Sequence, residues 1–233
     1  MKIIAIILAR GGSVGVPMKN IYPINGLPLI SYTIQQCFDA GIDQIYTSSD
    51  SDEILDMASF YGSKIIKRPY NFALNKSSSE ESWIHAIRQI KDFNLSKDWV
   101  FAPQVTSPIR HKEDIQKACK LAFTEKYDSI FSAVKFEDFF LWKDDGQNLK
   151  PINYDYLKRK RRQELEAKTL LENGSFYMFK AQNLINTNNR LHGKIGYVEM
   201  EKNKMYQIDG FEDIEIVEYF IDKYNLNKNI KKY

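Results

Sequence analysis

A mostly parallel β-sheet with helices on both faces, an α/β fold, is what this sequence predicts, and three observations carry the expectation. Strand-like and helix-like patterns alternate over the first 136 residues, the rhythm of βα units. The opening run, residues 2–9, is an almost unbroken apolar string rich in β-branched side chains, as a strand buried on both faces requires. The chain of 233 residues is 43% hydrophobic and 13% aromatic, enough to fill the core of one α/β domain and too apolar for wholesale disorder.

The elements follow in order. Ile30, Ile34 and Cys37 at helical spacing predict a helix over residues 28–40, and residues 44–48 read as the second strand. Asp50 and Ser51 supply a helix cap before Ile54, Met57 and Ala58, and Gly62 stands where that helix should stop. Residues 64–67 form a third strand, 80–93 a helix and 99–105 a fourth strand. Ile115, Ala118, Cys119 and Ala122 mark the next helix, and 129–134 a fifth strand. The rhythm breaks after Phe136. Residues 137–172 are polar and charged, include the run Lys158-Arg159-Lys160-Arg161-Arg162, and show little periodicity. They read as an excursion from one domain spanning residues 1–233, not as a second domain. Strand character returns at 175–179 and 195–200, and Ile214, Val217, Phe220 and Ile221 define a closing amphipathic helix. The polar tail, 225–233, is expected to fray.

Composition excludes several classes of function. With 33 basic against 30 acidic residues, the net charge of +3 is too slight for a nucleic-acid binder. The first apolar run stops at Arg10, short of the roughly 20 residues a membrane span needs and wrongly ended for a signal peptide. Cys37 and Cys119 are too few for a metal cluster or a disulfide framework and fall on apolar helix faces, so buried free thiols in a reducing cytoplasm are expected. His85, His111 and His192 lie in unrelated segments. Trp83, Trp99 and Trp142 read as packing residues, and Ser77 to Ser79 as a flexible approach loop. Asp50 and Asp52 stand at a strand end where they could touch a ligand, but helix capping explains them more simply.

Chemistry in such a sheet gathers beyond the carboxyl ends of the strands. After the first strand comes Arg10-Gly11-Gly12-Ser13-Val14-Gly15-Val16-Pro17-Met18-Lys19-Asn20. Its glycines let the backbone approach a ligand closely, and Arg10 and Lys19 add positive charge, a combination suited to a polyphosphate. The Gly-Lys-Ser/Thr ending of a P-loop and the glycine spacing of a dinucleotide fingerprint are both missing. Other strand ends add Arg68-Pro69, Gln104-Val105-Thr106-Ser107-Pro108-Ile109-Arg110, Asn173-Gly174-Ser175 and Ile208-Asp209-Gly210.

Five of these segments, taken in order, resemble the acylneuraminate cytidylyltransferases: Ala9 to Asn20, Gln104 to Arg110, Arg161 to Gln163, Asn173-Gly174 and Ile208-Asp209. The resemblance spans nearly the whole chain and implies a Rossmann-like nucleotidyltransferase fold. It implies that a 2-keto sugar acid attacks the α-phosphorus of CTP, giving a CMP-sugar for surface-glycan synthesis and pyrophosphate. By the same resemblance, Arg10 and Lys19 hold the phosphates while Ala9, Gly11, Gly12, Ser13, Asn20 and Arg68 surround the nucleotide. Gln104 and Asn173 face the acceptor, and Arg161 or Arg162 pairs with its carboxylate or with the triphosphate, from a homodimer partner. Asp209 binds Mg²⁺, a hard cation suited to carboxylate and phosphate oxygens. The chain departs from the family at Val14, where many relatives have Lys, at Val105, where proline is usual, and at Gln207, where sialic-acid-specific members often place a second acid. Two alternatives follow: a cytidylyltransferase for 3-deoxy-octulosonate or its amino derivative, and a non-catalytic sugar-nucleotide-binding module. The Lys19-Asn20 ending and the Asn173-Gly174 turn favour the acylneuraminate branch.

Overall fold

The computed structural model describes residues 1–74, 76–136, 140–161, 164 and 169–233. In chain order the elements are β1 (Ile3–Leu8), the two-strand hairpin β2 (Pro23–Ile24) and β3 (Leu27–Pro28), α1 (Leu29–Asp39), β4 (Ile45–Ser49), α2 (Asp52–Phe60), β5 (Lys64–Lys67), α3 (Ser79–Gln89), β6 (Trp99–Pro103), α4 (Lys112–Phe123) and β7 (Ser129–Lys135). Then come β8 (Trp142–Asp144), β9 (Leu149–Pro151), β10 (Leu170–Lys180), α5 (Ala181–Thr187), β11 (Ile195–Met200) and α6 (Glu212–Lys223).

Seven strands form one sheet in the order β11-β7-β10-β6-β1-β4-β5. β1 pairs in parallel with β4 and β6, β4 with β5, and β7 with β11. β10 alone runs antiparallel to both of its neighbours. The chain therefore leaves β1 towards β4 on one side and later returns to β6 on the other, making a switch point at β1 where a crevice opens.

The unbroken apolar run of β1 has its cause in the two cores. Ala5 and Ile7 pack with residues of α1, α2, α4 and α6, while Ile4 and Ile6 pack with residues of α3 and α5. Trp99 and Phe101 of β6 split from Val100 and Ala102 in the same way. Alternate side chains enter opposite layers, and each fully buried isoleucine contributes roughly 1.5–3 kcal/mol.

Four details differ from expectation. Ser51 caps α2, accepting from the Ile54 N–H at 3.4 Å, but Asp50 does not cap that helix. β10 starts at Leu170, so Asn173 and Gly174 lie inside a strand, beside a register shift between Glu172 and Tyr177. The positive φ of Gly174, 64°, belongs to that irregularity. The tail docks: the Tyr233 N–H donates to Phe60 O at 2.9 Å, the Lys231 N–H to Gln35 Oε1 at 2.9 Å, and Tyr233 packs against Phe38. Cys37 is buried and its thiol is pushed up to about 12 by desolvation, whereas Cys119 is half-buried and pushed up to about 11 by the same cause. The described part of the excursion contains the hairpin β8–β9, with Trp142 packed against Tyr154 and Tyr156.

Candidate active site

The loop after β1 is built by contacts with its neighbours. The Gly11 N–H donates to Asp50 Oδ1 at 3.0 Å, which holds the loop against the end of β4. The Ser13 N–H returns to Gly11 O at 3.0 Å. The Gly12 and Val14 amides have no protein acceptor among the described residues. Met18, left-handed at φ 49°, turns the chain into a short 3-10 helix, Lys19–Ile21. Its buried Asn20 donates back to Arg10 O at 2.9 Å.

Lys19 joins this loop to the one before α6. Its Nζ donates to Ile208 O at 2.8 Å and Asp209 O at 3.1 Å, and lies 3.6 Å from the Asp209 carboxylate. Gly15 packs on the same place. A Cβ there would lie 1.9 Å from Asp209 O, so no larger residue fits without moving that carbonyl. The 208–210 loop is further fixed by the Ile208 N–H to Thr106 O at 2.9 Å and by Asp213, which accepts from the Asp209 and Gly210 N–H groups at 2.8 Å each.

Arg68, just after β5, supplies the opposing wall. It is only 4% exposed, yet its Nε and Nη2 have no partner among the described residues. Burial pulls its pKa below the usual guanidinium range, against the attraction of Asp50 and with the repulsion of Arg10. A buried cation with unfilled donors beside another arginine is costly unless an anion or another acceptor arrives. The first turn of α3 closes this side: Ser78 caps it by accepting from the Glu81 N–H at 3.1 Å, and Trp83 Nε1 donates to Ile6 O at 3.4 Å. Gln104, beyond β6, is held through its N–H to Ser175 O at 3.0 Å.

Together these elements enclose a cleft of about 570 Å³ at the carboxyl ends of β1, β5 and β6. Of the residues singled out in the sequence, Arg10, Ser13, Lys19, Asn20, Arg68, Gln104 and Asp209 line it. Ala9, Gly11 and Gly12 form the loop behind the lining. Asn173 points inward: it is buried, donates to Lys204 O at 3.0 Å, and its own carbonyl accepts from Gln207 Nε2 at 2.6 Å. Arg161 is exposed and away from the lining, with its N–H on Glu164 at 2.9 Å, and Arg162 falls outside the described residues. Sequence reasoning preferred a capping role for Asp50 over a contact at the strand end, and took Trp83 as mere packing. The position of Asp50, an acid at the end of a strand, was the available signal. Ser77, Ser78 and Ser79 also line the cleft.

The donor set for a cation is spare. The Asp209 carboxylate is 84% exposed at the cleft, and no group of three or more His, Cys, Asp or Glu capable of holding a metal occurs among the described residues. Gln207 is committed to the Asn173 carbonyl. One carboxylate fits Mg²⁺ if phosphate oxygens and water complete the shell, the usual arrangement for that ion.

The sequence pattern of a family described as cytidylyltransferase matches residues 4–230. The chain belongs to that family. This cytidylyltransferase-family chain is 35% identical over 210 residues to N-acylneuraminate cytidylyltransferase A of Danio rerio, covering 88% of the chain and 47% of the relative. It is 29% identical over 222 residues to pseudaminic acid cytidylyltransferase of Campylobacter jejuni, covering 92% and 94%. The chain thus spans about half the length of the Danio rerio relatives it matches. A solved structure of CMP:2-keto-3-deoxy-manno-octonic acid synthetase complexed with CTP superposes with a TM-score of 0.73 at 15% identity, covering 96% of this chain and 100% of that one. That likeness shows a shared Rossmann-like nucleotidyltransferase fold, as the sequence led us to expect.

Proposed function

We propose that this chain transfers CMP from CTP to a sialic-acid-like nonulosonic acid and releases pyrophosphate, as a step in surface-glycan synthesis. The observation that carries the reading is the convergence of Arg10, Lys19 and Arg68 on one cleft at the sheet's switch point, where Arg68 keeps unfilled donors. An anhydride transfer of this kind needs positioning and charge compensation more than covalent help. The anomeric hydroxyl of the acid gives up its proton to solvent as its oxygen bonds the α-phosphorus, and the bond from that phosphorus to the oxygen bridging to the β-phosphate breaks, releasing pyrophosphate. Arg10 and Lys19 compensate the charge of the departing pyrophosphate. The free amides of Gly12 and Val14, with Ser13 and Asn20, hold the phosphates and ribose, and Arg68 meets the base. Gln104 orients the acceptor, with Asn173 bracing the irregular stretch of β10 beside it. When bound at Asp209, Mg²⁺ supplies charge neutralisation to the phosphate oxygens.

The same reading makes the enzyme a cytoplasmic homodimer. Its excursion exposes Leu141, Trp142, Leu149, Ile152, Tyr156 and Leu157 beside a basic run, an apolar anchor with a charged rim that suits an interface. Through it, Arg161 or Arg162 reaches the neighbouring site. Free thiols accord with a reducing compartment, and among the described residues no helix is long and apolar enough to cross a membrane. The test is nucleotide preference: pyrophosphate release with an accepted acid should require CTP over UTP, ATP and GTP. Comparable release from GTP would overturn the reading.

A further inference from the structure

Behind the cleft, Arg190 makes contacts that none of the roles above uses. Its Nε donates to Glu80 Oε1 at 2.7 Å and its Nη2 to Glu80 Oε2 at 3.1 Å, a two-point grip on the first turn of α3. Its guanidinium carbon lies 4.7 Å from the ring centres of both Trp83 and Tyr177. The two side chains are only 21% and 14% exposed. Burial alone would raise the Glu80 carboxyl, but the hydrogen bonds and charge of Arg190 hold it below the usual range. Bidentate geometry, aromatic flanks and limited solvent distinguish this pair from ordinary surface pairs, most of which contribute little.

The segment that presents Arg190 is itself anchored. Asn188, left-handed at φ 50°, ends α5. Ser129 Oγ of β7 both accepts from the His192 N–H at 3.0 Å and donates to His192 O at 2.9 Å. The Lys194 N–H donates to Asp128 at 3.0 Å. Arg190 therefore reaches α3 from a support tied to the sheet. What it grips matters because the same turn of α3 contributes Ser78, Ser79, Ser82 and Trp83 to the cleft wall. Tyr177, beneath the guanidinium, belongs to β10 and bonds through its hydroxyl to Glu172.

We propose that Arg190 is a positioning residue: by clamping Glu80 and stacking on Trp83 and Tyr177, it fixes the α3 wall of the cleft and so sets nucleotide affinity, not the chemical step. This rests on the cleft being the CTP site. The test is Arg190→Met, which keeps length and loses the charge, with Arg190→Lys and Glu80→Gln beside it. Tryptophan fluorescence titrated with CTP reads Kd without turnover, and Trp83→Phe identifies which part of the signal comes from that ring. Arg190→Met should raise Kd and KM for CTP about tenfold, with kcat per active site within about threefold of the parent. Arg190→Lys should fall between the two, because a point charge cannot reproduce the two-point grip. Glu80→Gln should produce the same split, and combining it with Arg190→Met should add little further. A lowered melting temperature with unchanged Kd and KM would overturn the proposal, since Arg190 would then only stabilise the fold. If the parent chain itself binds no CTP, the functional reading falls and takes this proposal with it. An unchanged Kd in the variants, against a parent that does bind, refutes the clamp alone.

Discussion

Gly15→Ala tests whether the glycine loop after β1 and the Asp209 loop act as one unit. The added Cβ would sit 1.9 Å from Asp209 O and 3.1 Å from its carbonyl carbon, and contacts under 3.0 Å are ones real Cβ atoms essentially never make. The carbonyl must therefore retreat by about 1 Å, the scale of misplacement that costs roughly 100-fold in rate. Lys19 bonds Ile208 O at 2.8 Å and that same carbonyl at 3.1 Å, so a retreat of this size disturbs the anchor that ties Lys19 to this loop. The exposed carboxylate of the residue moves with its backbone. We expect kcat/KM to fall about 100-fold and stability to fall by about 1–3 kcal/mol, the usual cost of overpacking. Pyrophosphate release under steady-state conditions and chemical denaturation measure the two effects separately. Gly12→Ala, whose Cβ would meet nothing within 4 Å, should show the smaller loss in both. If Gly15→Ala stays folded with kcat/KM within about threefold of the parent, the Asp209 loop can move freely and the coupling is wrong.

Three further expectations bear on other parts of the molecule. Arg10→Ala should cost about 10²–10³ in kcat with circular dichroism unchanged, the loss typical of a preorganised charge at a leaving group, and near-parental turnover would remove Arg10 from the mechanism. Lys204→Met should destabilise the fold by about 3–5 kcal/mol, because Lys204 pairs with Asp114 at 2.7 Å where the two side chains are 4% and 3% exposed, and a denaturation midpoint close to the parent's would show that the stranded carboxylate is relieved some other way. Light scattering should report a dimer, and mixtures of Arg10→Ala with Arg162→Ala chains should regain activity. A monomeric mass for the active enzyme rules out the shared site, and a dimer without complementation rules out Arg162 as the lent arginine.

The parallel core was legible because burial on two faces leaves a plain mark: β1 and β6 are apolar at every position, and the intervening helices carry apolar residues at helical spacing. Strand direction leaves no such mark, so the reversal of β10 and its early start at Leu170 were hidden in a polar stretch. Residues 225–233 looked unstructured because they dock through main-chain groups and a few apolar side chains, which composition does not register. In the cleft, charge and glycine were readable at Arg10, Lys19 and Arg68. The bond from Gly11 to Asp50 was not, since it joins two strand ends 39 positions apart. Asn173 looked like a pocket residue by its motif, but its amide faces inward because the register shift in β10 needs an internal brace. Arg190 had no sequence signal at all, because its partners come from α3 and β10.

The central claim, cytidylyl transfer to a nine-carbon acid, is tested most directly by the product. The protein, CTP and Mg²⁺ would be mixed with a panel of nonulosonic acids and with 3-deoxy-octulosonate, and the products followed by phosphorus NMR and mass spectrometry. The account predicts equal amounts of pyrophosphate and of a CMP-sugar joined at the anomeric oxygen, formed with a nonulosonic acid and with Arg10 intact. A CMP-sugar formed from the eight-carbon acid alone, or no product with any acceptor from a chain that binds CTP, would contradict it.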